Sequence, residues 1–566
     1  MATLQKKKSR GKTYWQIVES RRVNGKPRPI VLLHLGTAEK LLQRLQTGAG
    51  KPFKAKVLQF GALAALWNIA QELQLVEIID RHVKKRHQGL SCGQYILLAA
   101  LNRCVGATSK KSLYDWYSKT VLSRLLPTSK RSLSSQRFWD HMSYFDEQTI
   151  NTIEKEITQR LVEHFKVDVR TLLFDATNFD TYINTQTQGN LAQRGHAKSK
   201  RKDLRIIGLA LLVSSDFHIP LLSYVYPGNH NDPTMFAGVI DELLERYQQF
   251  TQEDQDITLV FDGGNTSTGN MEEIGESNYH FITSLTLTHH QDLLDIPLSR
   301  FDSFSEPRLE GTSAHRTTKE IWGEERTIVI TRSDNLLTGQ LAGINTALKK
   351  KRAELRDLRT KLKRSQLPGA RGKGYTQKSL QKRLKSITSG QFTSVILNSE
   401  ILQSEGYLDF RFWTDSVAYN KLIRTRLGKR ILCTDHESWS TEEIILGSRA
   451  QSCIEDAFKE MKNPHWTSFS PAFHWTDQKL RVHCFYCLLS LTLSSLLVRK
   501  SAQANIKLST HALYEQLTDV TEVLNFYSMD SGAGRPRVDY VLSERSPLQD
   551  DLCHLFNVYE LSRGSS

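Results

Sequence analysis

Residues 167–179 read VDVRTLLFDATNF, and residues 256–264 read DITLVFDGG. In each stretch an apolar run turns polar at an aspartate, Asp175 in the first and Asp262 in the second. Short apolar runs with polar ends are typical of buried strands. If the two strands are neighbours, their backbones lie about 4.8 Å apart, and both carboxylates face one crevice at the strand ends, where α/β folds place their sites. Each aspartate can instead simply cap a turn.

The surrounding residues predict an α/β core. The predicted elements, in order, are strands at 167–179, 205–213 and 219–229, a helix from Pro233 to about Gln249, and strands at 256–264 and 279–287. Asp232 as N-cap and Pro233 at the first helical position mark the helix start. Two neighbouring carboxylates need a counterion, and Mg²⁺ is commonly shared between carboxylates and a substrate phosphate.

A third carboxylate lies in residues 448–463, SRAQSCIEDAFKEMKN. Apolar residues recur there at helical spacing and predict one buried face, formed by Ile454, Ala457, Phe458 and Met461. The adjoining face carries Glu455, Lys459 and Lys462, so one helix can offer a metal-binding carboxylate and a phosphate-binding ammonium. The alternative is a surface helix with an ion pair between Glu455 and Lys459.

The chain has 566 residues, enough for several domains. The expected segments are a basic N-terminal β-hairpin region (1–55), a helical DNA-binding or dimerisation domain (56–165), the first part of the α/β core (166–290), a strand-rich insertion domain with a basic helical hairpin (291–440), the second part of the core (441–500), and a C-terminal helical region and tail (501–566). Asn24-Gly25 is the expected hairpin turn.

Basic residues outnumber acidic ones, 76 against 60, for a formal charge of +16. This excess points to a polyanionic partner, and nucleic acid is the first candidate. Candidate phosphate-binding residues lie in the loop after the first core strand: Arg194, His196, Lys198, Lys200, Arg201 and Lys202. Residues 349–385 hold fifteen Lys or Arg against two acids and form a second candidate. Each basic segment can instead be a solvated surface.

Seven scattered cysteines fit free thiols in a reducing compartment better than a disulfide framework. Cys484 and Cys487 lie in an apolar run without a second pair, so we expect core residues rather than zinc ligands. No apolar run is long enough to predict a membrane span. We therefore expect a soluble, intracellular protein.

The order Asp175, Asp262 and Glu455, with a strand-rich insertion before the Glu455 helix, resembles the DDE transposases of bacterial insertion sequences. More narrowly, it resembles the group with a Tyr-Arg-Glu-Lys signature, insertion-sequence family four and its close kin. The segments GHAKSKRKD, FDGG and IEDAFKEMK agree, and the resemblance runs from about Tyr14 to about Val498.

The resemblance implies a ribonuclease-H-like catalytic core in which Asp175, Asp262 and Glu455 hold two Mg²⁺ ions, with Mn²⁺ as a substitute. Lys462 matches the signature lysine and implies a DNA contact. Ser448 and Gln451 stand where the signature has Tyr and Arg, and Arg449 lies close enough to compensate partly for their phosphate contacts.

The implied activity is cleavage at the ends of an insertion sequence, followed by joining of the 3′-hydroxyl to target DNA by two-metal-ion phosphoryl transfer. The implied partners are double-stranded DNA, both terminal inverted repeats and target, and a second copy of the chain in a homodimer. No membrane is expected, and the expected location is the bacterial cytoplasm at the nucleoid. Two alternatives are a catalytically inactive DNA-binding descendant and a ribonuclease-H-like nuclease.

Overall fold

The N-terminal residues form a sheet of three strands instead of a lone hairpin. A computed structural model describes residues 2–23, 26–47, 52–83, 89–184, 186–230, 257–266, 279–370, 374–404, 407–527 and 537–563, with short pieces at 239–240, 242, 245, 269–271 and 274. The first elements are β1 (Ala2–Ser9), β2 (Lys12–Val23), β3 (Lys26–Gly36) and α1 (Ala38–Thr47). Strands β2 and β3 pair with Val23 opposite Lys26, whereas Asn24-Gly25 lies outside the described residues. The sequence does not reveal β1 because all of it is exposed and lacks an apolar alternation.

A strand and a series of helices follow. They are β4 (Lys54–Gln59), α2 (Gly61–Glu72), α3 (Leu75–His82), α4 (Cys92–Val105), α5 (Leu113–Tyr117), α6 (Leu122–Leu125), α7 (Ser135–Met142) and α8 (Glu147–Glu163). Apolar residues at helical spacing are buried on α2: Leu63, Leu66, Ile69 and Ala70. Their burial joins these helices to the large core that also contains the central sheet.

The core strands have the predicted order. They are β5 (Thr171–Thr181), β6 (Arg205–Ser214), β7 (Pro220–Pro227), β8 (Ile257–Phe261) and β9 (Tyr279–Leu285). Strand β6 is antiparallel to β5 and to β7, whereas β8 is parallel to both β5 and β9. The helix predicted from Pro233 to Gln249 lies almost entirely outside the described residues.

The segment expected to be an insertion, residues 291–440, contributes strands to the core sheet from both its first and its last part. Its elements are α9 (Gln291–Leu294), β10 (Asp302–Ser303), β11 (Thr312–Ile321), β12 (Glu324–Ser333), α10 (Asp334–Ser365), α11 (Gln377–Thr388), α12 (Thr393–Ile396), β13 (Leu397–Ser404), β14 (Tyr407–Thr414), α13 (Ser416–Thr425) and β15 (Lys429–Thr434). Among the described strands, nine form one sheet in the order β10-β11-β12-β15-β9-β8-β5-β6-β7. Between β12 and β15, helices α10 and α11 form a basic hairpin with a separate apolar core.

The last part of the chain contains two long helices and a small sheet. The elements are α14 (Thr441–Lys462), α15 (Asp477–Gln503), α16 (Thr510–Thr518), β16 (Thr521–Tyr527), β17 (Arg537–Leu542), α17 (Pro547–Leu555) and α18 (Val558–Leu561). Strand β16 pairs with β17 and with β4 from the opposite end of the chain. The tail predicted at the end of the given sequence therefore contains regular structure. Its elements have fewer than ten residues each and carry too little periodicity to be recognised in the sequence.

Contrary to the expectation from the sequence, helix α15 is long and apolar enough to cross a membrane by length and composition alone. However, 89% of its most apolar window is buried inside the protein. All seven cysteines are free thiols, as expected, and Cys484 and Cys487 are buried core residues on α15.

Candidate active site

The register of the core strands places the two aspartates side by side. Strands β5 and β8 are parallel, and each paired residue of β5 lies opposite the residue of β8 that is 87 positions later in the chain (258 − 171). The last such pair is Leu173 and Val260. The same offset takes Asp175 to Asp262. Neighbouring strands lie about 4.8 Å apart, so the two aspartates are adjacent at one end of the sheet.

Asp262 is oriented by the end of its strand and by β9. One carboxylate oxygen accepts hydrogen bonds from the backbone amide of Gly263, at 2.8 Å, and from the Ser284 hydroxyl, at 3.3 Å. A Cβ at position 263 would lie 2.1 Å from the Ser284 carbonyl oxygen. Glycine therefore permits the close approach of the two strand ends that this hydrogen-bonded arrangement needs.

Helix α14 crosses the same end of the sheet. Its predicted apolar face is buried, as Ile454, Ala457, Phe458 and Met461 show. The Gln451 Nε2 donates a hydrogen bond of 3.0 Å to the carbonyl of Phe174, the residue before Asp175. The helix also lies very close to β9. If Gly447 were alanine, its Cβ would lie only 2.7 Å from Ile282 Cδ1.

Asp175, Asp262 and Glu455 line one cleft of about 610 Å³ between α14 and the sheet. The Glu455 side chain is 62% exposed, so it is free to turn within the cleft. Within the described residues, no group of three or more His, Cys, Asp or Glu stands close enough together to hold a metal ion. The three carboxylates thus share a cleft but do not form a closed ligand cluster.

The donor chemistry of this cleft fits a divalent cation that prefers oxygen. The acidic residues of its lining are the three carboxylates, and magnesium and manganese take such oxygen ligands. Gln451 adds a buried amide oxygen, Oε1, that has no hydrogen-bond partner among the residues described. A buried acceptor without a partner costs about 1–3 kcal/mol. A bound cation, or a water molecule of its hydration shell, would give the Gln451 Oε1 the missing partner.

Two of the predicted basic residues flank Asp175. The Lys462 Nζ donates to the Thr177 hydroxyl at 2.8 Å, and the Lys198 Nζ donates to the Ala176 carbonyl at 2.6 Å. Burial lowers the pKa of Lys462 and the charge of Lys198 lowers it further, while Asp175 raises it. The structure thus brings these two ammonium groups close to Asp175, although neither lysine lines the carboxylate cleft.

The loop containing Lys198 is attached to β5. Asn178 donates to the His196 carbonyl at 3.0 Å and accepts from the Lys198 backbone amide at 2.9 Å. Lys198 is exposed, and so are the other basic residues of this loop: Arg194, His196, Lys200, Arg201 and Lys202. Arg201 forms an ion pair with Asp203.

The remaining predicted residues differ in their surroundings. Lys459 is exposed, donates to Asp456 at 2.8 Å and lies 3.9 Å from Glu455, which matches the surface ion pair left open by the sequence. Arg449 lines the cleft and donates to the Arg308 carbonyl and to the Thr312 hydroxyl.

Two cleft residues, Ser284 and Arg430, are not singled out by the sequence. Ser284 is a polar residue near the end of a predicted strand, the same signal that identifies the two aspartates. Arg430 lies on β15, whose pairing with β9 joins residues almost 150 positions apart (431 − 285). No local pattern reveals such a pairing.

Comparisons with known proteins identify two segments. Residues 3–55 match the model of the IS1634 family transposase N-terminal domain, and residues 169–493 match the transposase DDE domain. No curated protein matches the chain. Among solved structures, the cryo-EM structure of the piggyBac transposase synaptic complex with hairpin DNA is similar over 82% of each chain, with 8% identity and a TM-score of 0.36. Because the DDE domain match spans more than half of the chain, this protein belongs to the DDE transposases, with N-terminal residues that match the IS1634 family.

Proposed function

We propose that this chain cuts the ends of an insertion sequence and joins them to target DNA, with Asp175, Asp262 and Glu455 as the catalytic carboxylates. The observation that carries the proposal is that Asp175, Asp262 and Glu455 line one cleft. The parallel register of β5 and β8, continued two residues past its last pair, also sets the two aspartates level. Carboxylates from distant parts of the chain have no structural need to share one cleft.

We further propose that the core is ribonuclease-H-like and that the chain is related to insertion-sequence family four. The strand order β7-β6-β5-β8-β9, with antiparallel pairs on one side of β5 and parallel pairs on the other, supports that fold. The position of Lys462 beside Thr177 and Asp175 supports the relationship, since this residue matches the signature lysine.

The three carboxylates would hold two Mg²⁺ ions, which Mn²⁺ can replace. When bound, such ions activate the attacking oxygen and stabilise the departing 3′-oxygen of an in-line displacement. The residues of the chain position the reactants: the Gly263 amide and Ser284 hydroxyl fix the Asp262 carboxylate, and Gln451 connects α14 to β5. Lys198 and Lys462 would bind phosphate oxygens and offset the negative charge near Asp175.

The proposed partners are double-stranded DNA, both element ends and target, and a second copy of the chain. The exposed basic loop at 194–202 and the basic helices α10 and α11 support the DNA proposal because they offer phosphate contacts that carry no sequence preference. We place the protein in the bacterial cytoplasm at the nucleoid, a location that suits seven free thiols.

Cleavage of a labelled duplex that carries the element end tests the proposal. We expect nicking in Mg²⁺ or Mn²⁺, its loss on chelation, and its loss in Asp175→Asn and Asp262→Asn. Asp168→Asn is the matched control, because Asp168 precedes β5 and pairs with Arg170. Nicking that survives in both cleft variants would refute the assignment of these carboxylates.

A catalytically inactive DNA-binding descendant is the second candidate. Ser448 and Gln451, in place of the signature Tyr and Arg, favour it. End-specific DNA binding by the intact protein without metal-dependent nicking would support this candidate and refute the first.

A further inference from the structure

The carboxylate cleft continues into a second, larger cavity. This cavity has a volume of about 720 Å³ and lies between α14, β12, β15 and the turn at Pro307–Leu309. Four residues line both cavities: Arg430, Leu432, Ser448 and Arg449. The two cavities therefore form one groove, which begins at the aspartates and ends at the first turn of α10, where Asn335 and Leu336 line it.

Two arginines stand where the cavities meet, and neither has a carboxylate partner within the described part of the chain. Arg449 donates only to uncharged oxygens, the Arg308 carbonyl and the Thr312 hydroxyl. The Arg430 side chain makes no hydrogen bond or ion pair to any described residue. Burial lowers the pKa of Arg449, and the positive charge of Arg430 lowers it further. Two guanidinium groups thus repel each other at the junction with no protein anion between them.

The other charged residues of the larger cavity do not neutralise this pair. Arg308 is occupied by Glu306, which accepts from its Nε at 2.7 Å. Glu310 is the one acidic residue in the lining, and it is exposed. An anion that enters between Arg430 and Arg449 would relieve their repulsion and gain charge-assisted hydrogen bonds, for which phosphate oxygens match the guanidinium geometry.

We propose that this groove carries one DNA strand away from the carboxylates, with a backbone phosphate bound between Arg430 and Arg449. The inference rests on the proposed function, because it takes DNA as the occupant of the carboxylate cleft. It adds a direction. The strand runs from Asp175 and Asp262 along α14 towards α10, so phosphates on one side of the scissile bond contact the arginine pair and those on the other side do not.

Binding to duplexes in which one phosphate at a time is replaced by an uncharged methylphosphonate tests the direction. The measurement is made in Ca²⁺, with the full-length protein and positions on both sides of the scissile bond. For the intact protein, we expect about a tenfold loss of affinity at one or two positions on one side, the size typical of a lost charge-assisted hydrogen bond. In Arg430→Ala the same replacement should cause no further loss, because the partner of that phosphate is already gone.

The salt dependence of binding gives a second readout. Arg430→Ala should lower the slope of log affinity against log salt by about 0.9, the value for one lost phosphate contact, while Arg430→Lys should retain most of the slope. Arg170→Ala is the matched control, since Arg170 precedes β5 and pairs with Asp168. Arg430→Ala is preferred to Arg449→Ala because Arg430 holds no described structural partner that its removal would disturb.

Three outcomes overturn the inference: an unchanged slope in Arg430→Ala, a methylphosphonate effect that persists in that variant, or equal sensitivity on both sides of the scissile bond. Inhibition of binding by inorganic phosphate that depends on Arg430, without any methylphosphonate effect, would assign the pair to a free anion and also overturn it. Cleavage of the same duplex in Mg²⁺ tests the proposed function separately. If the protein nicks DNA but shows neither the methylphosphonate effect nor the change in salt slope, the proposed path of the strand is refuted and the proposed function stands.

Discussion

Helices α14 and α15 follow each other in the chain but differ in what they expose. Helix α15 is buried along nearly its whole length and packs on α2, α4, α8 and β7. Helix α14 buries one face and turns Ser448, Gln451 and Glu455 into the cleft. Helix α15 therefore stabilises the fold through apolar burial. Helix α14 presents polar side chains to the cleft, and their removal should change the free energy of unfolding little. Substitutions in the two helices should separate stability from activity.

The largest expected effect is on activity, in α14. Glu455→Gln should lower the cleavage rate at least about a thousandfold, which corresponds to about 4 kcal/mol of lost transition-state stabilisation. The melting temperature should barely change, because the side chain is exposed and its nearest cation, Lys459, is 3.9 Å away. Asp456→Asn, one position along and outside the cleft, should remain active. If both variants lose activity equally, Glu455 has no special role.

The largest expected effect on stability is in α15. Leu493 has no exposed surface, so Leu493→Ala should lower the free energy of unfolding by about 2–5 kcal/mol, the cost of a cavity in a packed core. Urea denaturation measures the change, and the exposed Gln503→Ala at the end of the same helix is the control. A change below about 1 kcal/mol would contradict the division between the two helices, since surface substitutions give such values.

Gln451→Ala should have an intermediate effect, and again on activity. It removes the hydrogen bond to the Phe174 carbonyl, and loss of a residue that orients metal ligands typically costs about 10–100-fold in activity or metal affinity. Isothermal titration with Mn²⁺ gives a readout independent of turnover. Gln503→Ala, the same substitution at an exposed position of α15 outside the cleft, is the control. Unchanged Mn²⁺ affinity in Gln451→Ala would refute the orienting role.

The loop before α15 should make stability depend on pH. Burial, with smaller contributions from the charges of Lys110, Arg103 and Lys479, lowers the pKa of His474 from 6.5 to about 3. Between pH 6.5 and about 3, His474 is protonated in the unfolded chain but neutral in the folded protein. The free energy of unfolding therefore decreases as the pH is lowered through this range, by up to about 1.4 kcal/mol per pH unit. His474→Gln should reduce that slope without changing activity at neutral pH. Equal slopes for the variant and the parent protein would contradict the prediction.

The smallest expected effect is that of Lys459→Ala, on the outer side of α14. Its ion pair with Asp456 is exposed, so its loss should barely change the stability of the fold. The salt dependence of DNA binding tests whether Lys459 also contacts DNA: a slope lower by about 0.9 would show a phosphate contact, and an unchanged slope would leave only the ion pair. Lys462→Ala, beside Asp175, provides the comparison on the inner side of the helix.

The sequence predicts the strands of the core and the two aspartates because an apolar run that ends in Asp is a local pattern. It also predicts the buried face of α14, since Ile454, Ala457, Phe458 and Met461 recur with the helical period. The hydrogen bond from Gln451 to Phe174 is not predictable, because it depends on how a helix is placed on a strand 277 positions earlier. The same reason hides Arg430, whose strand enters the sheet only through long-range pairing.

The pairing of β16 with β4 has a consequence for how the protein is made. Thr521 lies opposite Gln59, so one sheet unites a segment that leaves the ribosome early with one that leaves it late. Until the late strand is synthesised, β4 has an unpaired edge that can attach to other chains. Pairing with β16 covers that edge only after nearly the whole chain has been synthesised.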